Sequence, residues 1–117
     1  MIIVQLGDSG GIETSGYLGT TSGITNAVVT NQHSTGFVVH TNGDAAAVIH
    51  GSVELTREDV ASNTWAVSIT TSLSNGAYTS VGAGSKALSG TVDRVRITTV
   101  AGTATFDAGS LNVTYEA

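Results

Sequence analysis

NTWAVSITTSL, residues 63–73, is the most informative segment of this chain. Trp65, Val67 and Ile69 occupy alternate positions, and small or polar residues stand between them. Because successive side chains of a strand point to opposite faces, this period of two predicts a β-strand with one buried face. We find no window of ten or more residues with the apolar spacing of a helix. The chain is therefore predicted to be all-β.

Short runs of the same character, rich in Val, Ile and Thr, occur along the rest of the chain. Turn signals such as Asn42-Gly43 and Asn75-Gly76 separate them. Besides 63–73, the predicted strands are 1–6, 25–30, 36–41, 45–55, 77–81, 92–100, 103–107 and 110–116. Only Leu55–Val60 has the character of a helical turn. So many short strands at regular spacing predict an antiparallel β-sandwich or jelly roll.

Two further strands show which side chains should face the core. Val95 and Ile97 alternate with Arg94 and Arg96, so the apolar pair is expected inside and the arginines outside. In the last strand the alternating apolar residues, expected to face the core, are Leu111, Val113 and Tyr115.

The N-terminal part of the chain differs in composition from the remainder. Residues 7–24 are rich in Gly, Ser and Thr, which favours a flexible arm that orders on a partner. We therefore divide the chain into a strand with an extended N-terminal arm, 1–24, and a β-sandwich domain, 25–117. The apolar residues of the first part are predicted to dock on the partner or on a neighbouring subunit: Met1, Ile2, Ile3, Val4, Ile12, Tyr17 and Leu18.

Composition excludes several classes of function. The chain has 117 residues, a net charge of -5 and only four basic side chains, too few for the basic stripe that nucleic acid binding needs. It contains no cysteine, so thiol chemistry and disulfides are absent. The N-terminus does not resemble a signal peptide, and no apolar run reaches the length of a membrane span, so no membrane partner is expected. We expect the chain to be made and folded in the cytoplasm, or to be carried out as part of a larger body.

The surface is suited to association. Charged residues make up 11% of the chain, against about 25% in an average domain, and proline is absent. Neutral polar surface costs less to desolvate than charged surface, and edge strands without proline are open to pairing. We expect a homo-oligomer or docking on a larger body.

No catalytic or metal site is predicted, and the protein is not expected to be an enzyme or to hold a cofactor. Gly7–Gly11 reads GDSGG, as around the nucleophile of chymotrypsin-like proteases, but every histidine follows it in a chain half the needed length. His40 and His50 could face each other across a turn at Asn42-Gly43, yet with His33 they match no established ligand spacing. The carboxylates, including Glu58 and Asp59, are expected to serve in capping, solubility and ion pairs.

The segment DRVRITTVAGTATFDAGSLNVTYE, Asp93 to Glu116, resembles the ending of small virion structural proteins of tailed bacteriophages. The segment IHGSVELTREDVASNTWAVS, residues 49–68, is similar in style. The resemblance covers about half the chain. It implies a capsid decoration (cement) protein, often trimeric, that sits on the capsid surface of the virion and binds the lattice of the major capsid protein. It implies no catalytic residues.

Two other functions stay open from the sequence. The first is a tail or head-fibre domain that binds a host-surface glycan, with Tyr17 and Tyr78 as the exposed aromatic anchors; no shaft repeats accompany it. The second is a free-standing sugar-binding module without a virion.

Overall fold

The computed structural model describes residues 1–116 and shows nine strands in two antiparallel sheets that pack together. The strands are β1 (Ile2–Asp8), β2 (Gly11–Ile12), β3 (Leu18–Ile24), β4 (Val28–Gln32), β5 (Phe37–Val38), β6 (Ile49–Asp59), β7 (Thr64–Leu73), β8 (Thr79–Ala87) and β9 (Arg94–Thr99). The all-β, sandwich-like prediction is confirmed. Residues 1–116 accordingly include no helix with the length and apolarity to cross a membrane.

The first sheet, sheet A, is built around β1. On one side β1 pairs with β9, from Ile2 opposite Thr99 to Gly7 opposite Arg94. On its other side it pairs with β5 near its start and with β2 near its end. β1 is an apolar strand whose side chains are covered on both faces, which suits its central position.

The second sheet, sheet B, has the order β4-β3-β8-β7-β6. Its longest pairing joins β6 and β7, from Ile49 opposite Leu73 to Arg57 opposite Trp65, with an irregularity before Asp59. The strand predicted over 63–73 is β7, and its extent is confirmed to within a residue.

The core lies between the two sheets. Its buried members are Leu6, Tyr17, Phe37, Val67, Ile69 and Leu88, and Trp65 packs against them half-buried. The rings of Tyr17 and Phe37 meet edge to face with centroids 5.0 Å apart, a favourable aromatic geometry. The Tyr17 hydroxyl accepts a hydrogen bond from the backbone N–H of Leu6 at 2.7 Å and lies 2.8 Å from the Glu13 carbonyl oxygen, so its polar end is satisfied inside the core.

Two threonines of sheet B tie the sheets together. The hydroxyl of Thr21 donates to the carbonyl oxygen of Val38, and that of Thr71 donates to the carbonyl oxygen of Val39, each at 2.7 Å. Both carbonyls belong to the short β5 region, which has few ladder hydrogen bonds of its own. Threonine, β-branched and able to donate, thus serves both the strand and the contact between sheets.

The expectation of a flexible arm over residues 7–24 was wrong. β1 continues to Asp8, β2 returns along it, and β3 pairs with both β4 and β8. The glycines of this segment allow close strand approach instead of motion: a Cβ on Gly19 would collide with the backbone of Ala83, and a Cβ on Gly23 with the Thr41 hydroxyl.

The two C-terminal strands were also predicted wrongly. Residues 103–116 contain no strand and pair with neither sheet. Leu111, Val113 and Tyr115, expected in the core, are exposed. The alternation of their side chains is typical of a strand, but the backbone of this segment pairs with no other strand of residues 1–116.

Three smaller expectations are corrected. Val95 was expected in the core and is 48% exposed, because β9 is the last strand of its sheet on that side. The strands predicted on either side of the turn at Asn42-Gly43 do not pair, so His40 and His50 do not face each other: β5 belongs to sheet A and β6 to sheet B. The helical turn suggested for Leu55–Val60 is instead the end of β6 and the turn after it.

Candidate interaction surfaces

The outer face of sheet B is an exposed surface built from all five of its strands. Residues opposite each other in an antiparallel register share a face, so the pairings Val28–Ile24, Ser22–Val81 and Thr70–Val81 define it. We call it the neutral face. Its members are Val28, Thr30 and Gln32 on β4; Leu18, Thr20, Ser22 and Ile24 on β3; Thr79, Val81, Ala83 and Ser85 on β8; Ala66, Ser68, Thr70 and Ser72 on β7; and His50, Ser52, Glu54 and Thr56 on β6.

The chemistry of the neutral face is hydroxyl and small apolar groups. Among these residues, Glu54 carries the one carboxylate, and none is Lys or Arg. Glu54 lies on the edge strand β6. Some hydroxyls lie close to each other across strands, as do Ser22 and Thr30 at 3.4 Å. The large apolar members, Leu18, Ile24, Val28 and Val81, are exposed. Such a face can be desolvated at low cost, since Glu54, its one carboxylate, lies on the edge strand and the rest of the face is uncharged Thr, Ser and apolar surface apart from His50 and Gln32.

The outer face of sheet A is different because the chain covers it. Ile3 and Gln5 are buried beneath the segment before β5: the Gln5 side-chain amide donates to the Thr35 carbonyl oxygen at 2.7 Å. Gly36 lies so close to Ile3 that a Cβ there would contact its side chain at 2.9 Å. Arg96 also lies on this side and donates to the Gln5 side-chain oxygen at 2.8 Å. Sheet B therefore presents the larger open face.

Three of the seven residues predicted to dock on a partner are unavailable. Ile3, Val4 and Tyr17 are buried in the fold, which corrects their assignment to an interface. Met1, Ile2 and Ile12 are half-buried, and Leu18 is 68% exposed as a member of the neutral face. Sequence reasoning missed most of this face, although the alternation Ala66-Ser68-Thr70-Ser72 within the segment 63–73 already marked the side opposite the core.

The second uncovered surface is the tail, residues 103–116. Its large side chains are between 54% and 91% exposed, and they are Phe106, Leu111, Val113 and Tyr115. None of the backbone hydrogen bonds found outside the sheets involves the tail. Folded monomeric domains rarely leave a cluster of strand-forming apolar residues in water, so the tail is a candidate for association.

A cluster of ionisable groups joins the segment just after β2 to the end of β8. The Lys86 ammonium lies 2.7 Å from Glu13 Oε1, and Ser89 Oγ lies within hydrogen-bond distance of both Asp8 and Glu13, at 2.7 and 2.9 Å. Burial raises the pKa of Glu13, but the hydrogen bonds from Lys86 and Ser89 outweigh it and hold this pKa below its ordinary value. The hydroxyl of Ser89 and the N–H of Gly10 similarly lower the pKa of Asp8.

The charged and polar groups of this cluster are hydrogen-bonded to one another and to nearby backbone. The Lys86 ammonium also donates to the Ala87 carbonyl oxygen at 2.8 Å, and the Ser89 N–H donates to Glu13 Oε2 at 2.8 Å. The groups thus hold the β1–β2 hairpin against sheet B. Ser9, the serine of the protease-like GDSGG segment, lies exposed in the turn of that hairpin.

The histidines lie in different environments. His40 is fully buried, its Nδ1 accepts from the Asn42 N–H at 3.0 Å, and its ring lies 4.9 Å from that of Tyr78. His50 is exposed on β6, where Nδ1 lies 2.8 Å from Ser74 Oγ. Among residues 1–116 no group of three or more His, Asp or Glu side chains is arranged to hold a metal ion.

The aromatic anchors expected for a glycan site are not exposed. Tyr17 is buried in the core, and Tyr78 is half-buried with its hydroxyl 2.8 Å from that of Thr41. This corrects the sequence-based choice of sugar-contacting residues. The exposed aromatic residues of the described chain include Phe106 and Tyr115, both on the tail.

The fold and its surfaces define an all-β sandwich-like domain with one open sheet face and an unpaired strand-like tail. Comparison with protein-family models, with curated proteins and with solved structures gives no match for this chain.

Proposed function

We propose that this protein is a capsid decoration (cement) protein of a tailed bacteriophage. In this proposal the neutral face rests on the lattice of the major capsid protein and spans the joints between its subunits. The observation that carries the proposal is the neutral face itself: a sheet surface of five strands, open to solvent, with a single carboxylate at its edge. The resemblance of Asp93 to Glu116 to virion proteins supports this choice of partner.

The physical basis of stabilisation is mass action. A protein that binds the assembled lattice and not the separated subunits stabilises the lattice by its binding free energy. A broad, neutral contact suits this role because its free energy comes from apolar and small polar area, which salt screens little. Exposed Leu18, Ile24, Val28 and Val81 contribute the apolar part.

The test compares variants of the neutral face on shells of the phage that encodes the protein. Val81→Glu places a charge in the centre of the face, on β8, and Ala45→Glu adds the same charge at an exposed loop position away from it. We expect Val81→Glu to weaken shell binding by at least about tenfold, the equivalent of about 1.4 kcal/mol, and Ala45→Glu to leave it unchanged. The measurements are the occupancy of purified shells and their melting temperature.

Two results would overturn the proposal. Failure of the unaltered protein to bind shells would reject the decoration function. Equal binding by the unaltered protein and Val81→Glu would reject the neutral face as the contact. Circular dichroism of each variant shows that the fold is retained, which is expected because Val81 points away from the core.

A further inference from the structure

The edge of sheet A at β9 is incomplete. Leu6 on β1 and Val95 on β9 are opposite each other in register and share a face, yet Leu6 is 0% exposed and Val95 is 48% exposed. β9 pairs with β1 on one side, and no strand of residues 1–116 pairs with its other side. The core face of the sheet therefore ends in an exposed apolar residue beside an open row of backbone donors and acceptors.

The tail contains a strand-like segment of the kind that could pair with the free edge of β9. Residues 110–116 alternate, with Leu111, Val113 and Tyr115 on one side and polar residues on the other. The segment contains no proline, so each of its residues can donate to a ladder. Its seven residues are one more than the six of β9, so it is long enough to pair along the whole of that strand. Pairing there would place an apolar side chain next to Val95 and continue the face that Leu6 begins.

We infer that residues 110–116 of one copy of this protein add to the free edge of β9 of a second copy. The occupant is a copy of the same chain because each molecule carries both the unpaired strand and the unpaired edge. This inference does not rest on capsid binding, which the proposal above assigns to the other sheet.

The chain after β9 does not pair back along that strand. The Gly102 N–H donates to the Thr99 carbonyl oxygen at 2.9 Å and closes a turn, and the chain then leaves without pairing along β9. Residues 103–116, at about 3.3 Å each, extend to roughly 45 Å. The longest dimension of the protein is 42 Å, so the tail is long enough to reach an adjacent molecule.

The charges of the two partners are complementary. Arg94 and Arg96 on β9 are two of the four basic residues of the chain. The tail carries Asp107 and Glu116 and no basic residue. Arg94 is already paired with Asp93 at 2.6 Å and Asp107 precedes the pairing segment, so Glu116 and Arg96 are the charges available to the contact. An opposite-charge pair on adjacent strands favours pairing by a few tenths of a kcal/mol.

Pairing of the tail of one copy with β9 of another can give a closed oligomer in two ways. If two copies give tails to each other the product is a dimer, and if each copy gives its tail to the next around a ring the product is a cyclic oligomer. The trimer expected from the virion resemblance is one such ring. The measured mass decides between them, and both contain the tail-to-β9 contact.

The test uses the full chain and a pair of matched variants. Leu111→Asp puts a carboxylate on the apolar side of the tail strand, whereas Asn112→Asp puts the same group on its polar side. We expect sedimentation equilibrium to show the unaltered protein and Asn112→Asp associating, and Leu111→Asp to have a dissociation constant at least about tenfold higher. Hydrogen exchange should show protection of residues 110–116 and of β9 that rises with protein concentration.

Three outcomes would overturn the inference. They are a monomeric unaltered protein at all concentrations, association that Leu111→Asp does not weaken, and protection of residues 110–116 that is independent of concentration. The last would show that the tail folds onto its own chain. None of these depends on shells, so failure here is distinguishable from failure of the decoration function.

Discussion

The ammonium of Lys86, near the end of β8, lies 2.7 Å from the carboxylate of Glu13, just after β2. The two side chains are 6% and 23% exposed, and the ammonium also lies 5.3 Å from the centre of the Tyr17 ring. This pair joins the start of the chain to the opposite sheet. Together with the strand pairing of β1 and β3 and the burial of Tyr17, it holds the N-terminal segment in the folded structure.

We predict that Glu13→Gln destabilises the protein by about 2–4 kcal/mol. The substitution removes the counter-charge of a nearly buried ammonium, and an uncompensated charge costs more than the lost attraction alone. Chemical denaturation measures the free energy of unfolding. Glu58→Gln, at an exposed position of β6, is the matched control and should change that free energy little; a similar loss in both would contradict the role of the pair.

A second prediction concerns the packing of glycine. A Cβ on Gly23 would collide with the Thr41 hydroxyl and the Tyr78 ring, so Gly23→Ala should cost about 1–3 kcal/mol by overpacking. On Gly43 the nearest atoms to a Cβ, those of Met1, are 3.8 Å away or more, so Gly43→Ala should be nearly neutral. Thermal unfolding of the two variants checks this, and equal melting temperatures would show that β3 can move to accept the methyl group.

These glycines illustrate where sequence reasoning succeeds and where it stops. Trp65, Val67 and Ile69 predict their strand because the period of two is a local property, and β7 has the expected extent and inner face. Gly19 and Gly23 give no such signal. A glycine-rich segment has the same composition whether it is flexible or packed between two strands. The neighbouring element, β8 for Gly19 and Thr41 for Gly23, determines which of the two it is.

The tail shows the opposite failure. Leu111, Val113 and Tyr115 alternate as clearly as the residues of β7, so the sequence predicts a strand there with equal force. A strand also needs a pairing partner, and residues 1–116 do not provide one. The alternating hydroxyl residues of β7 predict one strip of the neutral face. The extent of that face depends on the order of the strands, which local sequence patterns do not contain.

A third prediction concerns pH. His40 is fully buried, and burial lowers its pKa below the ordinary value of 6.5, against a smaller opposing effect of the Tyr78 backbone. Between the folded-state pKa and 6.5, the unfolded chain therefore binds a proton at this histidine and the folded chain does not. As the pH drops through this range, the free energy of unfolding falls. Protonation would also replace the acceptor at Nδ1 that holds the Asn42 N–H.

Urea denaturation between about pH 7 and about pH 5 measures this slope. In His40→Gln the fall in this range should be smaller, although the variant is less stable at neutral pH. In His50→Gln, which alters an exposed histidine, the slope should match that of the unaltered protein. A slope that His40→Gln leaves unchanged would assign the pH dependence to other groups.

The last prediction compares the two ends of the chain. Deletion of residues 1–24 removes β1, the central strand of sheet A, β3 from within sheet B, and the buried side chains of Leu6 and Tyr17. The remaining β9 and β5 would have no strand to pair with, so this truncated chain should not fold. Truncation after Gly102 removes a tail that pairs with neither sheet, so the sandwich should persist as a monomer. Dispersion of amide signals in NMR spectra distinguishes folded from unfolded chains. A well-dispersed spectrum from the chain without residues 1–24 would mean that the remaining strands β8, β7 and β6 of sheet B fold without β3 and sheet A. An unfolded spectrum from the chain without its tail would mean that the tail strand is needed within each molecule.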